Sequence, residues 1–140
     1  MAKSGRPLAR RCAVQALYQW RMTDQAPSQI RSNFIANKQL TGKSLDYFLL
    51  LIERIPDCIE KIDAHIAAHL DRDPNRVDFI EQAILRLGTY ELAFAPEIPA
   101  KVVVDEAVDL ARLFGSENGY KYVNGVLDKI ARDVRGELTE

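Results

Sequence analysis

IPAKVVVDEAVDLARLFGSENGYKYVNGVLDKIAR, residues Ile98 to Arg132, decides how this chain is read. It contains two helical periods joined by a short Gly/Ser/Asn hinge. Val103, Ala107, Leu110, Ala111 and Phe114 fall at i, i+4, i+7, i+8 and i+11, which makes one apolar stripe. Pro99 suits a first helical turn, where a missing N–H costs little. Gly115 is the expected stop, and Ser116 or Asn118 can cap the helix that follows. The second helix carries its own stripe of Val123, Val126, Leu127, Ile130 and Val134. Asn118, Lys121, Tyr122 and Gly125 stand off that stripe, and packing gives no reason for their identities. Val102–Val104 is the best strand candidate in the chain, yet it lies inside a helical period.

Working outward, the N-terminal segment predicts a helix from Pro7 to about Met22. Ala9, Cys12, Ala13, Ala16, Leu17 and Trp20 form its inner stripe. At about 100° per residue, Arg10, Arg11, Val14, Tyr18 and Arg21 lie on the other side. A tyrosine among arginines on a polar helix face is what RNA binding uses: cations take phosphates and a ring stacks on an unpaired base. A solvated arginine face with a tyrosine packed at its edge accounts for the same spacing, and the residues do not choose between the two.

A linker at Thr23–Pro27 leads to a short, poorly patterned helix from Ser28 to about Asn37. Ser44 can cap the next helix, whose stripe is Leu45, Phe48, Leu49, Ile52 and Ile55 and which Pro56 breaks or kinks. From Asp57 the pattern continues through Ile59, Ile62, Ile66, Ala67 and Leu70. His65 and His69 stand at i, i+4, a spacing that zinc can use. No Cys, Asp or Glu nearby completes a set, so they are read as ordinary helix-face residues with no metal. Residues Asp71–Asn75 read as a turn. A helix from about Val77 to Phe94 turns Ile80, Ala83, Ile84, Leu87 and Phe94 inward. Glu91 falls on that inner stripe, where an unpaired carboxylate is expensive, so it needs partners or an edge position. Leu85 and Leu92 fall on the outward side with Asp78 and Glu81. Such an apolar pair rimmed by acids suits a protein contact or even a homodimer, unless another helix covers it. Gly88 in mid-helix costs about 1 kcal/mol against Ala, and close helix–helix approach is the cheapest explanation.

These periods give an all-α protein: a compact bundle of about seven helices with short connections, residues 1–140 forming a single domain. The longest apolar run, Tyr47–Ile52, is far short of the roughly 18 residues a membrane span requires. No apolar core follows the N-terminal bases, so no signal peptide is expected. Cys12 and Cys58 are read as reduced thiols of a cytoplasmic protein. The formal net charge of −1 conceals an asymmetry. Lys3, Arg6, Arg10, Arg11 and Arg21 share the first 21 residues with no acid, while the other 14 bases face 20 acids. One anion-seeking end on an acidic body is the result. No P-loop, GxGxxG, CxxC or HExxH motif occurs, and Asp105, Glu106 and Asp109 read as solvated charge, with Asp105 and Asp109 sharing a face with Arg112. No catalytic residue, cofactor or enzymatic activity is expected.

The motif FG-x-E-x-x-x-K-Y-VNGVLDKIAR, preceded by PAKVVVDEAVDLA and LRLGTYELAF and anticipated by RRCAVQALYQW at Arg10–Trp20, resembles the NusB family of bacterial transcription antitermination factors. The resemblance runs over roughly residues 6–135 and is weakest between Thr23 and Arg76. It implies a small all-helical protein that binds the single-stranded boxA element of nascent ribosomal RNA transcripts. It also implies a partner, the small-subunit ribosomal protein that doubles as NusE, and a joint complex on RNA polymerase. The RNA-binding positions carried over are Arg6, Arg10, Gln15 and Tyr18 in the first helix, and Asn118, Lys121 and Tyr122 at the start of the last. The partner positions carried over are Asp78, Glu81 and Leu85. Two other readings compete: an accessory domain of the kind fused to RNA cytosine methyltransferases, for which the chain has no cofactor domain, and a helical adaptor using the Leu85/Leu92 face.

Overall fold

A computed structural model of the chain describes residues 5–36, 39–70, 76–115 and 118–136. Among them the protein is all-α, with α1 (Arg6–Met22), α2 (Pro27–Ala36), α3 (Gly42–Asp57), α4 (Ile59–His69), α5 (Phe79–Phe94), α6 (Ala100–Phe114) and α7 (Gly119–Arg135). Each expected helix is present, and its ends shift by up to three residues, the largest shift being the start of α3. The expected turn at residues 71–75 and the candidate cap Ser116 lie outside the described residues. The chain divides into two compact units, Met1–Asp57 and Cys58–Glu140.

In the first unit α1 packs on α3 and α2. Its expected stripe is inside: Ala9, Cys12, Ala13, Ala16 and Leu17 are all buried. Phe48, Leu51, Ile52 and Ile55 answer from α3, whereas α2 contributes Ile30 alone, in keeping with its weak pattern. Phe34 of α2 and Phe48 of α3 meet with ring centroids 5.4 Å apart. Gly5 fixes how closely the starts of α1 and α3 approach. Its φ of +99° is left-handed, and a Cβ there would stand 2.7 Å from the backbone nitrogen of Ser44. Ser44 is not the cap position of α3, which begins two residues earlier. Its hydroxyl accepts from the Thr41 N–H at 3.0 Å and donates to the Thr41 carbonyl at 2.7 Å, tying the turn. Pro56 sits in the last turn of α3 and ends it one residue later.

In the second unit α5 packs against α4, α6 and α7. Three covering helices leave it almost no free face. Leu85 and Leu92 are 0% and 2% exposed, so the outward apolar pair read from the helical period is core. Gly88 permits the close crossing expected of it, since a Cβ there would meet Leu127 Cδ1 of α7 at 2.8 Å. Glu91 is 1% exposed and engaged, not an unpaired buried charge. Asp78 caps α5 by accepting from the Ile80 N–H at 2.8 Å. Arg86 holds Asp63 of α4 through two bonds of 3.0 and 2.9 Å, and His69 of α4 pairs with Asp133 of α7 at 3.0 Å.

The end of α5 is closed by a residue from the far end of the chain. Arg135, in the last turn of α7, donates from Nε to the Leu92 carbonyl at 3.0 Å. Its Nη2 donates to the carbonyls of Glu91 and Ala95 at 3.0 and 3.1 Å, and its Nη1 to that of Ile98. The Glu91 and Ala95 carbonyls already accept the backbone N–H groups of Ala95 and Ile98 at 3.1 and 3.0 Å; the guanidinium gives each a second donor and also serves the Leu92 and Ile98 carbonyls at the helix end. Arg135→Ala is expected to cost roughly 2–4 kcal/mol of unfolding free energy, because charge-assisted bonds to four carbonyls are lost and those of Leu92 and Ile98 lose the donor that serves them. Exposed Arg132→Ala should cost less than about 0.5 kcal/mol. Urea denaturation of both variants makes the comparison, and equal midpoints would refute the clasp.

Both cysteines are free; Cys12 is buried and Cys58 half-buried. Burial pushes the Cys12 thiol up, against the lowering pull of Arg11. Brief treatment with a thiol-alkylating reagent at pH 8 should label Cys58 and spare Cys12 until the protein is unfolded. Mass spectrometry reads the outcome, and early labelling of Cys12 would contradict the burial.

Candidate nucleic-acid interface

In the first unit the basic residues of α1 divide into two groups. Arg6 and Arg10 turn toward α3 and lie over the ring of Tyr47, their Cζ atoms 4.7 and 5.7 Å from its centroid. Arg10 is only 4% exposed and Val14 is 0% exposed. The reading that put Arg10 and Val14 on a solvent face with Tyr18 is therefore corrected, because α1 is buried over more than its apolar stripe. The outer face of α1 is Arg11 and Gln15, both exposed, with half-buried Tyr18 beside them at i, i+4, i+7. Arg6 is half-buried and tethered to Tyr47 by its charge.

Tyr47 was not foreseen as a partner of these arginines. Its one signal in the sequence is that it stands off the α3 stripe while sitting in an apolar run. A cation over an aromatic face contributes from about 0.5 kcal/mol when exposed to 2 or more when desolvated. The approach depends on Gly5, which lets the starts of α1 and α3 come together.

In the second unit the hinge between α6 and α7 gathers the other candidate residues. Asn118 and Lys121 are exposed and Tyr122 is half-buried. Asn118 occupies the N-cap of α7, but its side chain makes no capping bond. No acid occupies the first turn of α7 and Lys121 does, although a helix N-terminus favours negative charge. Gly125 is exposed with nothing near the place of a Cβ, and packing does not explain it. Tyr120, which the sequence reading passed over, carries Arg112 of α6 at 4.4 Å from its ring centroid and Lys121 Nζ at 6.0 Å. The expected pairing of Arg112 with the acids of its own helix is replaced: Asp105 is held by Lys101 at 3.1 Å, and Arg112 lies on Tyr120.

The residues read as a partner surface fare differently. Asp78 is exposed and caps α5. Glu81 is 5% exposed and engaged, and Leu85 is fully buried. Leu85 and Gln82 line a cavity of about 180 Å³ with Asp63, Ile66, Ala67, Leu70 and Val77. The acidic rim with an outward leucine is thus reduced to Asp78, because α5 is enclosed where the period suggested a free side. Among the described residues no group of three or more His, Cys, Asp or Glu is arranged to hold a metal, and no helix is long and apolar enough to cross a membrane.

Replacing Tyr47 by Leu leaves a smaller apolar side chain in its site and removes the ring beneath two arginines. The expected loss is about 1–2 kcal/mol of unfolding free energy, measured by urea denaturation. An unchanged midpoint would mean that Arg6 and Arg10 take nothing from the ring.

Comparison with known proteins agrees with this architecture. The pattern of the NusB family matches residues 7–132. A transcription antitermination protein NusB from Histophilus somni is 47% identical over 130 residues, covering 91% of this chain and 90% of the relative. One from Pasteurella multocida is 45% identical over 128 residues, covering 91% and 89%. A crystal structure of the antitermination factors NusB and NusE in complex with dsRNA contains a chain 30% identical to this one, with a TM-score of 0.86. That match covers 94% of this chain and 98% of that one. With the family pattern running over residues 7–132 and relatives 45–47% identical over about nine-tenths of each chain, the chain belongs to the NusB family.

Proposed function

We propose that this protein is a bacterial transcription antitermination factor. It binds the boxA element of nascent ribosomal RNA transcripts as a single strand, together with the ribosomal protein NusE, and joins an antitermination complex on RNA polymerase in the cytoplasm. The observation that carries the reading is the family match over residues 7–132, joined to two segments that offer rings and cations at the surface. In α1 these are Arg6, Gln15 and Tyr18; in α7 they are Asn118, Lys121 and Tyr122. Arg10 serves the first segment from inside, as a buried charge that shares Tyr47 with Arg6. We read residues 1–140 as one RNA-binding domain in function.

Chemistry favours an unpaired strand. Aromatic stacking requires splayed bases, and sequence-specific recognition of RNA is concentrated on single-stranded segments. The related NusB–NusE structure holds dsRNA, so duplex and single strand belong in the same test. On the partner side, Asp78 remains the accessible acid for a basic ribosomal protein. Glu81 and Leu85, buried on the same helix, contribute to that contact only through the packing of α5.

The test is fluorescence anisotropy with a short boxA-like RNA, single-stranded and as a duplex, at two salt concentrations, with and without NusE. Salt-sensitive binding that favours the single strand and is strengthened by NusE is expected. Tyr18→Ala and Tyr122→Ala should each cost about 1–3 kcal/mol of affinity with helicity retained. Absence of binding even with NusE present would overturn the reading.

A further inference from the structure

We propose that Arg112 and Lys121, gathered on the ring of Tyr120, form a phosphate-binding pair that takes the RNA backbone beside the bases met by Asn118 and Tyr122. The proposal rests on the RNA-binding reading above and adds two residues, Arg112 and Tyr120, which that reading does not use.

Arg112 is exposed in the last turn of α6, and Lys121 is exposed in the first turn of α7. Only the hinge separates them in sequence, and a single ring joins them in space. The Arg112 Cζ lies 4.4 Å from the Tyr120 centroid and the Lys121 Nζ lies 6.0 Å from it. Two like charges brought to one ring repel each other. A solvated face of an acidic protein has easier arrangements: Asp105 and Asp109 are exposed on the same helix as Arg112. Asp105 is nevertheless taken by Lys101, and among the described residues Arg112 has no carboxylate or carbonyl partner. A bound anion relieves the repulsion of the two cations.

The ring prepares the site. A free arginine side chain carries about 2 kcal/mol of rotamer entropy, which binding must remove. A guanidinium held over an aromatic face through its charge has lost part of that freedom beforehand. Its N–H donors lie in its own plane and are not consumed by the ring, so they stay available to phosphate oxygens. Lys121 adds a second charge, and Tyr120 keeps both cations on the hinge that carries Asn118 and leads into Tyr122. The ligand class is therefore the backbone phosphate of an RNA strand whose bases meet Asn118 and Tyr122.

The experiment is the anisotropy titration of wild type and Arg112→Gln with the single-stranded boxA-like RNA and NusE, across a series of salt concentrations. Arg112 is exposed, so the substitution should leave the fold intact, which circular dichroism verifies. We expect affinity at low salt to fall about 5–10-fold and the slope of log affinity against log salt to become shallower by about 0.7, the value of one phosphate contact on a single strand. Tyr120→Phe should bind as wild type, and Tyr120→Leu should weaken binding. Wild-type binding with an unchanged affinity and slope in Arg112→Gln would overturn the proposal and leave the RNA reading standing. Weaker binding with an unchanged slope would also overturn it, since the arginine would then act on the shape of the hinge and not on a phosphate. If the wild-type protein binds no RNA at all, both fall together.

Discussion

Arg135 closes the carbonyl end of α5, and much of the second unit depends on that closure. A buried carbonyl left without a donor costs on the order of 1–3 kcal/mol, and at this end of α5 the Leu92 and Ile98 carbonyls take theirs from Arg135. A guanidinium suits the task because its five donors spread in a fixed fork. From the end of α7 it reaches Glu91, Leu92 and Ala95, and also Ile98 in the link that leads into α6. One side chain thus ties the exit of α5, the approach to α6 and the last turn of α7. Close packing of Gly88 against Leu127 fixes the α5–α7 crossing from the other side. Between them, these contacts set the helices whose hinge carries Arg112, Asn118, Tyr120, Lys121 and Tyr122.

The same device recurs at both candidate binding segments: an aromatic ring orders two cations. Tyr47 holds Arg6 and Arg10, and Tyr120 holds Arg112 and Lys121. The consequences differ with burial. Arg10 is enclosed, so its contact with Tyr47 bears chiefly on how α1 and α3 pack. Arg112 and Lys121 are open to solvent, where charge is screened and a fixed geometry matters more than the pair's own attraction. Around these points the protein is acidic beyond its first 21 residues. The basic groups therefore act as local features and not as part of a general positive field, and binding that depends on few phosphates should be sensitive to placement as much as to charge.

Six of the seven helices were legible because each carries an apolar period of three to four residues, while the weakly patterned α2 was marked out by the linker before it and the loop after it. Pro56 ends α3 and Gly115 follows α6 wherever the helices happen to pack. The residues off the α7 stripe were legible for the converse reason: Asn118 and Lys121 end in polar groups that favour water, and both are exposed. Leu85, Glu81 and Arg10 were misjudged by one assumption, that a helix has one buried side. Enclosure by α4, α6 and α7 gives α5 burial nearly all round. On α1, burial reaches Arg10 and Val14 beyond the stripe.

The sequence by itself determined the helical class, the positions of the helices, the basic start and the family to which the chain belongs. These follow from local spacing and from long ordered motifs, and both are properties of the chain alone. Tertiary structure decided which charges meet which partners. Arg135 finds carbonyls more than 35 residues away, Arg86 finds Asp63, and Arg112 leaves the acids of its own helix for a ring on the next. No period encodes such pairings, because a long flexible side chain can reach any group that folding brings within its length. The choice among them is made by which helices cover one another and by which polar groups would otherwise be buried without a partner.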